Sequence, residues 1–305
     1  MTKLSEQITL ISSWVNHPET LKAHRDLWIQ AFPNETVNYI VYIDAKDYAD
    51  ESNFFDGTMR DKLLNECMRL GIQYYLVPDH FHDNRSLIIP QCQINQERSA
   101  SARDVLVCHM AWRDQVLLNP NVHRVGLIQP DIFPYRKLTW QGLTRGADFY
   151  YKPQQRHTLT YAWNGLCFFT MSKWSQQLKE VVDFQHGLQK CIFTDSGGGL
   201  WKLLEVLTDD QKYGWTGQNS LQWSSRDACP DLPFWIMEHL KSDPRNRVES
   251  DGAVSYYSEI QDDRFLHLRA GCNWDGIGKE IHEKRYANFM KLLNEAIDDG
   301  SAFLT

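Results

Sequence analysis

"VHRVGLIQPDIFPY", residues 122–135, reads as a short apolar strand that runs into an aspartate and then turns. Val122 to Ile128 has the apolar, β-branched character of an interior strand. Asp131, between Pro130 and the Ile132-Phe133-Pro134 turn, then delivers a carboxylate at the strand's end. Burying an ionised carboxylate without a partner is costly, so Asp131 is expected to be paired, exposed at a crevice, or bound to a cation.

The flanking segments set this strand in an alternating pattern. "ITLISSWVN" predicts a first strand ending near Ser13. "NHPETLKAHRDLWIQAF" predicts a helix with Asn16 as N-cap, Pro18 in the first turn and Glu19 three residues on; Leu21, Leu27, Trp28, Ala31 and Phe32 form its apolar stripe. "VNYIVYID" predicts a strand ending at Asp44, "TMRDKLLNECMRLG" a helix stopped by Gly71, and "IQYYLVP" a third strand. "SARDVLVCHMAWRDQVLLN" predicts a helix with Ser101 as N-cap and a face of Val105, His109, Trp112 and Val116. Helices alternating with strands predict an α/β fold with a Rossmann-like, mostly parallel central sheet flanked by helices. The second half is less regular and rich in aromatics. It offers strands at "YAWNGLCFFTM" and "KCIFTDSGGG", helices at "KWSQQLKEVVDF" and "LWKLLEVL", and a closing helix at "KEIHEKRYANFMKLLNEAI". With no repeat or linker, the chain reads as one domain, with halves 1–150 and 151–305.

Composition excludes several classes. A formal charge of −7 opposes general nucleic-acid binding, because phosphate affinity needs clustered Lys and Arg. No apolar run reaches bilayer-spanning length. Seven scattered cysteines without CxxC spacing predict reduced thiols and a cytoplasmic setting. "SSWVNHPE" carries no glycine fingerprint after the first strand, which disfavours a dinucleotide oxidoreductase.

Ligands of open α/β sheets sit beyond the carboxyl ends of strands, where Ser12, Ser13, Trp14, Asp44 and Asp131 all fall. With the later motifs, this pattern resembles the GT-A glycosyltransferases, the nucleotide-diphospho-sugar transferases. In that family a strand enters an Asp-x-Asp motif whose carboxylates hold a divalent cation against the donor's diphosphate. Here Gln129 stands at the first Asp position and Asp131 at the second. "YAWNGLCFFTMSKW" is similar to the family's Asn-Gly strand, "TDSGGGLWKLL" to its Asp-led turn and helix, and "HLRAGCNW" to its late His–Gly motif. The last has one extra residue between His267 and Gly271 and lacks the Lys-Pro pair.

The resemblance implies a nucleotide-sugar donor, a glycan or other hydroxyl acceptor, and Mn2+ or Mg2+ held by Asp131 and His267. Its glycogenin-like flavour points to retention of anomeric configuration. Donor binding falls to Ser12, Ser13, Trp14, Asp44, Arg98, Arg103, Gln129, Asp131, Gly165, Arg269, Gly271 and Trp274. Asn164 would bond sugar hydroxyls, and Asp195 would orient sugar or serve as base toward the acceptor. Trp163, Trp215 and Trp223 are candidates to stack on the acceptor, whereas Trp201 and Trp235 read as core. Simpler roles compete: Asp131 as a turn cap, His267 as a core histidine, Asp195 as N-cap of the "LWKLLEVL" helix, and both early arginines as solvated helix ends. Two further readings stand beside transfer. One is a sugar-binding protein that keeps the fold without catalysis, suggested by Gln129. The other is a metal-dependent hydrolase built on "DHFHDN", which needs His80 and His82 to converge with a third ligand.

Overall fold

A computed structural model describes residues 7–44, 58–90, 100–215, 231–248, 250, 254–268 and 278–304. In chain order the strands are β1 (Ile8–Trp14), β2 (Val37–Asp44), β3 (Gln73–Val77), β4 (Arg124–Ile128), β5 (Ile132–Pro134), β6 (Phe149–Arg156), β7 (Leu159–Thr170), β8 (Gly187–Gln189), β9 (Ile192–Thr194), β10 (Lys212–Gly214), β11 (Arg247–Val248), β12 (Val254–Ser255), β13 (Glu259–Gln261) and β14 (Phe265–His267). The α-helices are α1 (Leu21–Ala31), α2 (Met59–Leu70), α3 (Asp79–Asp83), α4 (Ala100–Trp112), α5 (Trp140–Thr144), α6 (Gln176–Glu180), α7 (Trp201–Val206), α8 (Phe234–Ser242) and α9 (Lys279–Asp298). None is long and apolar enough to cross a membrane.

The chain forms two compact units that interleave along the sequence. Met1–Pro18, Asn34–Gln129 and Trp140–Trp215 make the first, and Glu19–Pro33, Pro130–Thr139 and Thr216–Thr305 the second. Residue 150, where the two expected halves meet, lies inside the first unit.

The first unit carries a mixed seven-stranded sheet of order β10-β6-β7-β4-β1-β2-β3. β4, β1, β2 and β3 run parallel, as do β10 and β6, while β7 is antiparallel to both its neighbours. Central strand β1 is buried from Ile8 to Ser12, as a strand covered on both faces must be. Gly126 in β4 has a steric reason: a Cβ there would come within 2.7 Å of Leu10 and 2.8 Å of Phe168 on the adjoining strands. Val105, Trp112 and Val116 of the α4 segment join Phe149, Phe169 and Phe184 in the core. Helix α2 stops at Gly71, whose φ of 64° suits the left-handed cap.

The stretch 122–135 is not one strand. β4 ends at Ile128, and Pro130, lacking an N–H, lies in the break before β5. β5 belongs to the second unit, in a three-stranded antiparallel sheet of order β13-β14-β5. Around it Leu27, Phe133, Trp235, Leu266, Phe289 and Leu293 are buried together. Two other local readings change. A 3-10 turn at Pro18–Thr20 precedes α1, whose N-cap Thr20 makes no side-chain cap bond, so Asn16 does not cap it. Ser101 lies inside α4 rather than at its cap.

Candidate functional site

In the second unit, the imidazole of His267 sits between two carboxylates. His267 closes β14, directly opposite Glu259 on β13 and Ile132 on β5. The Leu268 N–H donates to the Asp131 carbonyl at 2.7 Å, which seats Asp131 beside the ring. His267 Nδ1 lies 3.1 Å from Glu259 Oε2, and Nε2 faces Asp131 Oδ2 at 3.8 Å. Glu259 is buried and also accepts from the Gln261 amide, two residues along the same strand face.

This arrangement has a chemical consequence. A carboxylate only accepts, so a ring with its proton on Nδ1 would donate to Glu259 and turn the Nε2 lone pair toward Asp131. Two acceptors then face each other across 3.8 Å, and a proton or a cation relieves that repulsion. One carboxylate oxygen and one imidazole nitrogen form a donor pair that Mn2+ accepts, and the spacing is below twice a metal–ligand bond of about 2.1 Å. The pair fits such an ion when substrate oxygens or waters complete its shell. Among the described residues, no group of three or more His, Cys, Asp or Glu side chains is arranged to hold a metal.

In the first unit, Asn164 and Ser13 meet at Asp104, with the Asp195 charge nearby. Asp104, on α4, accepts from Asn164 Nδ2 at 2.6 Å and from the Ser13 hydroxyl at 3.4 Å. Burial raises the Asp104 carboxyl above the usual range; the nearby Asp195 charge adds to this, against hydrogen bonds from Asn164, Ser196 and Ser13. Asp195 is half-buried at the bend after β9, where its Oδ1 accepts from the Ser101 hydroxyl at 2.7 Å and the Ser196 N–H at 2.8 Å. It does not cap α7, whose N-cap is Leu200. Cys108 is 3.3 Å from the Asn164 amide, and burial pushes its thiol well above the ordinary range.

Asp44 and Arg103 are occupied with each other. The Arg103 guanidinium grips Asp44 with two bonds of 2.6 Å, and His82 Nε2 adds a third contact at 2.8 Å. Burial alone would raise the Asp44 carboxyl, but hydrogen bonds from His82 and Arg103 outweigh it and hold it below its usual range. Arg103 and Asp44 thus form a buried ion pair. His82 is buried on Asp44, and His80 is exposed.

The other expected residues fall into four groups. Ser12 and Trp14 are fully buried. Gly165 has no room for a side chain, because a Cβ would lie 2.4 Å from the Trp163 ring and 2.6 Å from Gln129 Oε1. Trp163 and Trp215 are buried, at 8 % and 2 % exposure, and Trp163 lies in β7. Arg98, Trp223, Arg269, Gly271 and Trp274 lie outside the described residues.

The sequence matches no protein-family model, and no curated protein matches it. By structure, the chain is similar to mouse xyloside xylosyltransferase 1 in its apo form, with a TM-score of 0.39 and 8% identity, over 68% of this chain and 85% of that one. It is also similar to galactosyltransferase LgtC in complex with donor and acceptor sugar analogues, with a TM-score of 0.35 and 10% identity, over 64% of this chain and 70% of that one.

Proposed function

We propose that this chain moves a sugar from a nucleotide-diphosphate sugar to a hydroxyl of a glycan or other acceptor, with Mn2+ or Mg2+ held at Asp131 and His267. The observation that carries the reading is the Asp131–His267 pair. One hard oxygen and one nitrogen, brought together by adjacent strands, face each other across 3.8 Å with the far ring nitrogen already engaged. When bound, the cation would neutralise negative charge developing on the departing nucleoside diphosphate.

The chain's own groups then divide the work. Asp131 offers the charged oxygen, and Glu259 keeps the His267 ring turned so that Nε2 faces it. Asn164 would accept from a sugar hydroxyl, and Asp195, steadied by Ser101 and Ser196, would receive a proton from the acceptor hydroxyl. Reduced thiols, including the buried Cys67, Cys108 and Cys167, support a cytoplasmic location.

The test is a thermal-shift screen of nucleoside diphosphates with and without Mn2+. At least one is expected to raise Tm in a Mn2+-dependent way, and Asp131→Ala or His267→Ala should abolish the metal-dependent part. An unchanged response in both variants refutes the metal site. Gln129, in place of a second carboxylate, favours one alternative, a sugar-binding protein without transfer. Glycan binding with no nucleotide affinity would select it.

A further inference from the structure

Asn164 is 2 % exposed, and its two ends have unequal fates. Nδ2 is fully engaged, by Asp104 Oδ2 at 2.6 Å and Cys108 Sγ at 3.3 Å. Oδ1 is buried and meets no donor among the described residues. An unmet buried carbonyl costs about 1–3 kcal/mol, a penalty that a ligand donor would remove. Asn164 also lines a cavity of about 10 Å³, together with Ser13, Asp104, Cys108 and Gln129; that is room for one water-sized group.

We infer that Asp104 is a positioning residue: by capturing Nδ2 of Asn164, it presents the amide oxygen to a single hydroxyl of the donor sugar. An amide between two hydroxyl-sized partners can rotate by half a turn and offer either end. Asp104 Oδ2 accepts from Nδ2 at 2.6 Å and Cys108 Sγ takes its second hydrogen, which fixes that end of the amide and removes the freedom. The Ser13 hydroxyl, 3.4 Å from Asp104 Oδ1, is held by the same carboxyl and completes a wall that reads a hydroxyl rather than a methyl or a hydrogen. The cavity admits one such group, so the sugar is read at one position.

This inference rests on the transferase reading, and its test separates the two. Titration calorimetry with Mn2+ would compare UDP and GDP against UDP-glucose, UDP-galactose, UDP-xylose and GDP-mannose. In the wild type, at least one nucleotide sugar should bind about tenfold tighter than its parent diphosphate, the equivalent of one good hydrogen bond. Asp104→Leu should remove that increment and leave the parent diphosphate affinity within about twofold. Asp104→Asn, whose amide can donate as well as accept, should restore only part of it. An increment that survives Asp104→Leu, or a loss shared equally by the parent diphosphate, overturns the positioning role. Wild-type binding of a diphosphate with no sugar increment also overturns it, leaving transfer standing. Failure of every diphosphate to bind sinks the transferase reading and this inference with it.

Discussion

A histidine presents two different nitrogens, and the partner of one decides what the other can do. At His267 the decision belongs to Glu259, which engages Nδ1 at 3.1 Å and is itself held by Gln261. Removing such a partner from a metal-bound histidine weakens metal affinity by about 10–100-fold. Glu259→Ala should therefore weaken Mn2+ binding by that factor in electron paramagnetic titrations of free Mn2+, while Glu259→Gln, still an acceptor, loses less. Equal affinity in all three proteins would remove Glu259 from the site. His267 is legible in the sequence through its motif. Glu259 is not, because only the pairing of β13 with β14 brings residues eight positions apart face to face. Gly165 makes a second residue-scale case. Gly165→Ala would drive a methyl into the Trp163 ring, and we expect a loss of about 1–3 kcal/mol in chemical denaturation, the usual cost of overpacking.

Asp44, His82 and Arg103 tie together the end of β2, the short helix α3 and the first turns of α4. All three side chains are buried, so the triad is costly to break from one side. Arg103→Met should destabilise the protein by about 3–5 kcal/mol, because Asp44 keeps its charge and loses its main counter-charge. Urea denaturation should show a lower midpoint with an unchanged slope; an unaltered midpoint would mean that water replaces the guanidinium. The sequence places Asp44 correctly at a strand end and Arg103 correctly on the helix that precedes β4. It does not reveal that they neutralise each other. β6 illustrates the opposite failure: Pro153 and its polar neighbours hide the strand, and the ladder accommodates them by slipping register between Tyr151 and Lys152.

Across the first unit, three aspartates give the stability a pH signature with two signs. Asp44 is held low by His82 and Arg103, against burial. Asp183, also against burial, is held at about 2 by His109 and Lys202. A lowered acid contributes stability above its unfolded pKa of about 3.9 and loses it as pH falls through the folded value. Unfolding should therefore set in below about pH 4. Asp104 works in the other direction: its raised carboxyl stays protonated in the native state after the unfolded chain has ionised, so stability falls as pH rises above the ordinary carboxylate range. Asp104→Asn should remove that decline, raising Tm relative to wild type at pH 7–8 and converging with it near pH 4. A constant difference between the two across that range would contradict the assignment.

Periodicity and turn chemistry determined the α/β class, the parallel run β1 to β4 and most helices, because burial imprints its period on the side chains that carry it. The chemical types at strand ends, Asp44, Asp131 and His267 among them, were equally legible. Which groups meet was not. Asp44 with Arg103, Asn164 with Asp104, and His267 with Glu259 are pairings across elements, and the burial of Trp163 and Trp215 is likewise a result of how elements pack. A local pattern records which face of a segment avoids water; only the packed chain decides which buried polar group must answer which.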